Sequence, residues 1–254
     1  MSLHNSQERP GALQSPRVIF TTSWDDGHVL DLRLADLLAE HGVRGTFYVP
    51  VKFEHRLGVS DLRRLRNLGM EVGAHTVNHV DLTATSDPLG ELVNGKSYLE
   101  DVLGEEVTAF AYPFGRFDSR VSRLAQSAGY RLARTTVAFS TRRSFNPYKM
   151  PTSFQFMPQK RAVHARHALR EWNWNGLLTW CGQWRCKTSL RHLGQLTLEE
   201  ARCSNGVVHI WGHSWEIDSH GLWQELKTSL REIQQQPGLI SMTNSEVVSA
   251  QAEC

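Results

Sequence analysis

The stretch RVIFTTSWDDGH (17–28) runs an apolar, β-branched segment straight into two adjacent carboxylates, Asp25 and Asp26. Val18, Ile19 and Phe20 suit a buried strand, and Asp25-Asp26-Gly27 suits the turn that ends it. Working outward, the same kind of run recurs at 44–50, 70–74, 107–112, 130–135, 149–154, 207–212 and 239–243. Helical patterns lie between most of these runs. LDLRLADLLAEHG (30–42) sets Leu30, Leu34, Leu37 and Leu38 on one face and closes on Gly42. Segments 60–69 and 119–129 also end in glycine. Strand and helix alternating about eight times predict a parallel α/β architecture, and the length suits a (β/α) barrel, complete or distorted. In such folds chemistry gathers at the C-terminal ends of the strands.

Composition narrows the class. The 254 residues are 40% hydrophobic and 21% charged, which fits one barrel domain over 17–254 behind a disordered tail, 1–16. The N-terminal MSLHNSQERPGALQSPR has no apolar signal core, and no run of eighteen apolar residues follows. Cys181, Cys186, Cys203 and Cys254 are too few and too irregular for a disulfide framework. A cytoplasmic, reduced protein is expected.

The net charge of +2 hides a local excess: Thr141–His192 holds ten Lys or Arg against one acid, Glu171. Such an excess suits an anionic partner. Within it, LREWNWNGLLTWCGQWR (169–185) sets Leu169, Trp172, Gly176, Leu177, Trp180 and Trp184 at helical spacing. This reads as a barrel helix burying that face. It also reads as a peripheral membrane or lipid-linked glycan contact, with Arg166 and Arg170 beside it. Nucleic acid is not expected, because no binding motif accompanies the charge. The oligomeric state is not legible.

Three further strand ends carry polar residues. GAHTVNH supplies His75 and His79, AYPFG supplies Tyr112 and Phe114 around a tight turn, and WGHSWEID supplies His213. Two histidines four apart with one carboxylate make a set for a divalent metal, with coordination positions left for water and substrate. A second carboxylate outside that set could take a proton from the water. A separate histidine could protonate a leaving group, and a turn N–H could bind an oxyanion. Singly, each is commonplace: a turn, a surface pair, a structural histidine. Their order and shared placement at strand ends raise them together.

SWDDGH, GAHTVNH, AFAYPFG and IWGH resemble motifs of the polysaccharide deacetylase family, carbohydrate esterase family 4. The similarity runs well over 17–135, thins over 136–205 and returns at 206–220. It implies a distorted barrel of about seven parallel strands and a metal-dependent hydrolase. The reaction would remove an N-acetyl or other N-acyl group from an amino sugar in a glycan or glycoconjugate, with a lipid- or nucleotide-linked acceptor also in view. On the resemblance, Asp25 is the general base and His213 the general acid. Asp26, His75 and His79 hold the metal, most commonly Zn2+, with Co2+, Ni2+ or Fe2+ also compatible. Phe114 offers the oxyanion N–H, Tyr112 stands in the same turn, and Ile210 lines the acyl pocket.

Two departures stand out. Where the family's third motif carries an arginine that braces the base, this chain has Ala111. The fourth motif, which orients the acid histidine, is not recognisable, and Glu216 and Asp218 are candidates to replace it. Two alternatives stay open: an amidase or deformylase acting on a small amide, and a carbohydrate-binding pseudoenzyme.

Overall fold

A computed structural model describes residues 17–170 and 173–252. The 1–16 tail, Glu171, Trp172 and Cys254 lie outside the described residues, as do the side chains of His167 and Arg170.

Seven of the eight apolar runs form strands, and 149–154 contributes only Phe154 to a two-residue one: β1 (Val18–Asp25), β2 (Gly45–Val49), β3 (Glu71–Ala74), β4 (Ala109–Ala111), β5 (Leu132–Arg134), β6 (Phe154–Gln155), β7 (Val207–Gly212) and β8 (Leu239–Ser241). Seven pair in the order β5-β4-β3-β2-β1-β7-β6, and every named strand pairing is parallel. The short β8 pairs the first residues of β1, Val18–Phe20, while β2 pairs its last, Thr22–Asp25. Between β5 and β6 the wall is irregular. There Met150 N–H donates to Ala133 O, Thr152 N–H to Val137 O and Phe139 N–H to Ser153 O. The result is a curled, distorted barrel.

Helices flank this wall: α1 (Asp31–Glu40), α2 (Val59–Asn67), α3 (Pro88–Leu103), α4 (Ser119–Ser127), α5 (Arg161–Arg170), α6 (Trp174–Leu178), α7 (Leu190–Ser204), α8 (Ser214–Ser219), α9 (Trp223–Gln234) and α10 (Asn244–Ala252). Asp87 and Asp118 accept hydrogen bonds from Gly90 and Val121 N–H and so start α3 and α4. The segment expected to be one helix over 169–185 is broken. α5 ends at Arg170, α6 follows, and a π-turn occupies 179–183. Trp180 and Trp184 are buried as expected, but Leu169, Trp174 and Leu178 face outward.

The period of two along each strand sorts residues into two cores. Val18, Phe20, Trp24, Phe47, Phe110, Tyr112, Val208 and Ile210 pack against the helices. Ile19, Tyr48, Ala109, Ala111, Leu132 and Val207 fill the inside of the barrel. α10 plugs its lower end, with Val247 in that inner core and Asn244 Nδ2 donating to the Tyr48 hydroxyl at 2.9 Å.

Candidate active site

The upper, C-terminal strand ends surround a cleft of about 420 Å3. Asp25, Asp26, His75, His79, Phe114, Gly115, Arg116, Thr136, Trp211, His213 and Trp215 line it. Strands β1, β3, β4 and β7 thus deliver Asp25 and Asp26, both histidines, the Phe114 turn and His213 to one place, as their positions at strand ends require.

One ligand atom from each of Asp26, His75 and His79 lies within 4.8 Å of the other two. His75 Nδ1 donates to Ala111 O at 2.8 Å, which leaves Nε2 facing the cluster. His79 Nε2 lies 3.3 Å from Asp26 Oδ1, and that buried oxygen has no hydrogen-bond partner. Burial and the neighbouring histidine charges outweigh the nearby carboxylates and depress both imidazoles, His75 to about 4. Neutral imidazoles and an orphaned carboxylate oxygen are what a divalent cation requires of its ligands, so the set fits one.

The backbone here is held in rarely adopted geometry. Asp26 (φ 80), Thr76 (φ 68), His79 (φ 51) and Phe114 (φ 58) all take left-handed conformations. Such conformations cost on the order of 1–3 kcal/mol each and cluster at functional sites. Gly115 (φ +65) permits the turn below Phe114, since any side chain there would collide with Thr136 Oγ1.

Asp25 stands apart from the ligand set. Its Oδ1 accepts from Arg134 Nη2, and the Arg134 side chain is fully buried. Burial alone would raise the Asp25 pKa. The Arg134 charge, with His75 and His213 behind it, outweighs burial and holds the carboxyl below its ordinary value. Across the cleft, His213 Nε2 lies 3.8 Å from Asp26 Oδ2, while its Nδ1 donates to Glu216 Oε2 at 2.7 Å. Burial would depress this histidine, but Glu216, Asp25 and Asp26 carry it up to about 9. Trp211 and Trp215 flank the ring at 5.6 and 5.1 Å, and Trp215 Nε1 donates to Asp26 Oδ2 at 3.0 Å. Beneath lies Asp31, whose carboxyl burial pushes well above the usual range, beside Ser214 Oγ.

Two expected residues are not in the cleft. Tyr112 is buried on the outer face, stacked on Phe117 at 4.9 Å, and its hydroxyl donates to Tyr148 O. Ile210 lines a separate apolar cavity of about 260 Å3 between the sheet and α7 and α9. Both share the outward parity of Phe110 and Val208, so the wall of the cleft falls to Trp211 instead. Of the two acids after His213, Glu216 meets it, whereas Asp218 lies exposed against Trp223 Nε1 and Arg33. The residue that sequence reasoning missed is Arg134, although YRLART (130–135) gives it the inward parity of Leu132 at a strand end.

Residues 14–133 match the family model for polysaccharide deacetylase. The peptidoglycan-N-acetylglucosamine deacetylase of Bacillus cereus is 27% identical over 116 residues, covering 44% of this chain and 54% of that one. The chain spans about half the length of the curated relatives it matches. Two solved structures share the fold across most of both chains. The Xyl-CE4 domain of a multidomain xylanase from the hindgut metagenome of Trinervitermes trinervoides has a TM-score of 0.60 at 17% identity, covering 93% of this chain and 92% of that one. A family 4 carbohydrate esterase from Bacillus anthracis has a TM-score of 0.55 at 18% identity, covering 94% and 86%. The segment that carries Asp25, Asp26, His75 and His79 is thus similar to the polysaccharide deacetylase family.

Proposed function

We propose that this protein is a metal-dependent N-deacetylase of an amino-sugar glycan or glycoconjugate. The observation that carries the reading is the division of labour in the cleft: a three-ligand cluster, Asp26, His75 and His79, beside a carboxylate, Asp25, that belongs to a different partner. A cation bound by that cluster, Zn2+ by preference, supplies Lewis acidity to the scissile carbonyl and its attacking water. Asp25, held anionic by Arg134, takes the proton from that water. The Phe114 N–H, aimed by its left-handed turn, steadies the developing oxyanion. His213, kept protonated by Glu216, donates to the departing sugar nitrogen. Trp211 and Trp215 give the cleft apolar walls for the sugar and its acyl group.

The test is acetate release from N-acetylglucosamine oligomers and from peptidoglycan by the full chain, before and after chelation and reloading with zinc. Zinc-dependent acetate release is expected. A chain that binds zinc yet releases acetate, formate or ammonia from none of a panel of N-acyl sugars and small amides would count for a binding module.

The finer reading concerns the acceptor. Leu169, Trp174 and Leu178 are 47%, 53% and 70% exposed, and Lys160, Arg161, Arg166, Arg185 and Lys187 are exposed around them in sequence. Apolar anchors among cations suit an anionic membrane surface, and hence a lipid-linked substrate. Flotation with phosphatidylglycerol vesicles but not phosphatidylcholine ones is the expected outcome, weakened by Trp174→Ala with Leu178→Ala. Equal flotation with both vesicle types, or with neither, would remove this part of the reading.

A further inference from the structure

Ala111 and Arg134 are Cα partners in the parallel β4–β5 ladder. Both have inward parity: Ala111 lies in the inner core with Ala109, and Arg134 follows Leu132 by two. Neighbouring strands stand about 4.8 Å apart, so side chains from these two places reach the same volume. We propose that Arg134 is the positioning residue for Asp25, and that it occupies, from one strand over, the space an arginine at position 111 would otherwise fill. The inference rests on the deacetylase reading and adds to it how the base is held in a chain with alanine where its motif predicts arginine.

Three observations carry it. First, the reach is direct: Nη2 of the fully buried Arg134 meets Asp25 Oδ1. Second, the guanidinium is confined, with its carbon 5.2 Å from the Tyr48 ring centroid and 5.1 Å from that of Trp211. Those rings limit its swing, so it fixes the carboxylate's direction as well as its charge. Third, Nε and Nη1 are buried without a hydrogen-bond partner. A buried arginine that serves the fold satisfies its N–H groups on backbone carbonyls. This one directs its charge to the base and leaves the rest unused.

The methyl side chain of Ala111 is the complement. A second guanidinium at 111 would crowd Arg134 and put two like charges against one carboxylate, so the pair of positions accommodates one arginine. The same residue keeps a separate duty through its backbone, since Ala111 O holds His75 Nδ1. That contact does not depend on the side chain and survives either arrangement.

The test is second-site rescue. Wild type, Arg134→Ala, and Arg134→Ala combined with Ala111→Arg are compared as zinc-loaded full chains. Turnover is measured on N-acetylglucosamine oligomers and on p-nitrophenyl acetate, with zinc content and melting temperature for each. Arg134→Ala should lower kcat by about 100-fold, with KM within about threefold and zinc unchanged. Adding Ala111→Arg should recover at least about tenfold of that loss. A folded, zinc-loaded Arg134→Ala protein with wild-type kcat would overturn the proposal, as would a folded double variant no better than the single one. If Arg134→Ala does not fold, Arg134→Gln, closer in volume, takes its place under the same criteria. If the wild type hydrolyses the ester but no N-acetyl sugar, the deacetylase reading fails while the ester assay still decides on Arg134.

Discussion

The two ends of the barrel interior are both polar and they are built on opposite principles. At the lower end, Thr21 Oγ1 donates to Asn244 Oδ1, Asn244 Nδ2 to the Tyr48 hydroxyl, and Thr46 Oγ1 to Glu71 Oε2. Asn244 and Ser245 N–H complete the net on Thr46 and Glu71. The atoms of this net satisfy one another, which is the condition for burying polarity without a large penalty. At the upper end, Asp26 Oδ1, both Asp31 oxygens, Thr76 Oγ1 and two Arg134 nitrogens are buried without hydrogen-bond partners. Four residues there also hold left-handed backbone. Satisfied polarity below ties α10 to β1, β2 and β3. Unsatisfied polarity above lies in and around the cleft, where the proposed chemistry would use it.

The contrast can be broken most sharply at the ligand cluster. His79→Ala and Asp26→Ala should each abolish stoichiometric zinc binding, measured by elemental analysis, and lower turnover by about 1,000-fold or more. Without metal, Asp26→Ala should lower the melting temperature only slightly, since Oδ1 has no hydrogen bond to lose and Oδ2 loses the one from Trp215 Nε1. Next in size is Glu216→Gln. His213 must be protonated to act as an acid, so activity falls as pH rises through its pKa, which Glu216 helps hold at about 9. The substitution should move the alkaline limb of kcat down by about one pH unit or more, read from a pH–rate profile, and leave the acid limb in place. An unmoved alkaline limb would assign it to another group.

Lower down, Asn244→Ala should behave in the opposite sense. It leaves Thr21 and Tyr48 without their partner and should cost about 2 kcal/mol, several degrees of melting temperature, at unchanged kcat/KM. A large catalytic defect with intact stability would erase the distinction between the two ends. The smallest effect is expected outside the barrel, at Ile210→Val. It should cost about 1 kcal/mol of stability and leave turnover within about twofold, because Ile210 faces α7 and α9.

These expectations depend on a parity that the sequence carries in plain view. The strand-end rule brought Asp25, Asp26, His75, His79, Phe114 and His213 together correctly, because each follows an apolar run that became a strand. Parity was the missing step for Tyr112 and Ile210: each sits one residue from an inward position and so faces the helices. Glu216 was named with Asp218 as a candidate partner of His213, and of the two it is Glu216 that meets the ring. The 169–185 segment misled for a different reason. Gly176, Trp180 and Trp184 are buried as that spacing predicts, but Asn173 leaves helical geometry just before α6, and Leu169 is exposed.

The sequence by itself therefore determined the alternating strands and helices and the end of the sheet where the polar residues gather. Each of these follows from local periodicity and from residues close together in the chain. What holds Asp25 was decided only by the tertiary structure. Strand parity in YRLART turns Arg134 inward with Leu132, but Arg134 lies 109 residues from Asp25 and nothing local says which group it meets there. Strand order and register set Arg134 beside Ala111 and aim it at Asp25. Those are properties of the curled sheet, fixed by pairing between distant segments, and no spacing along the chain encodes them.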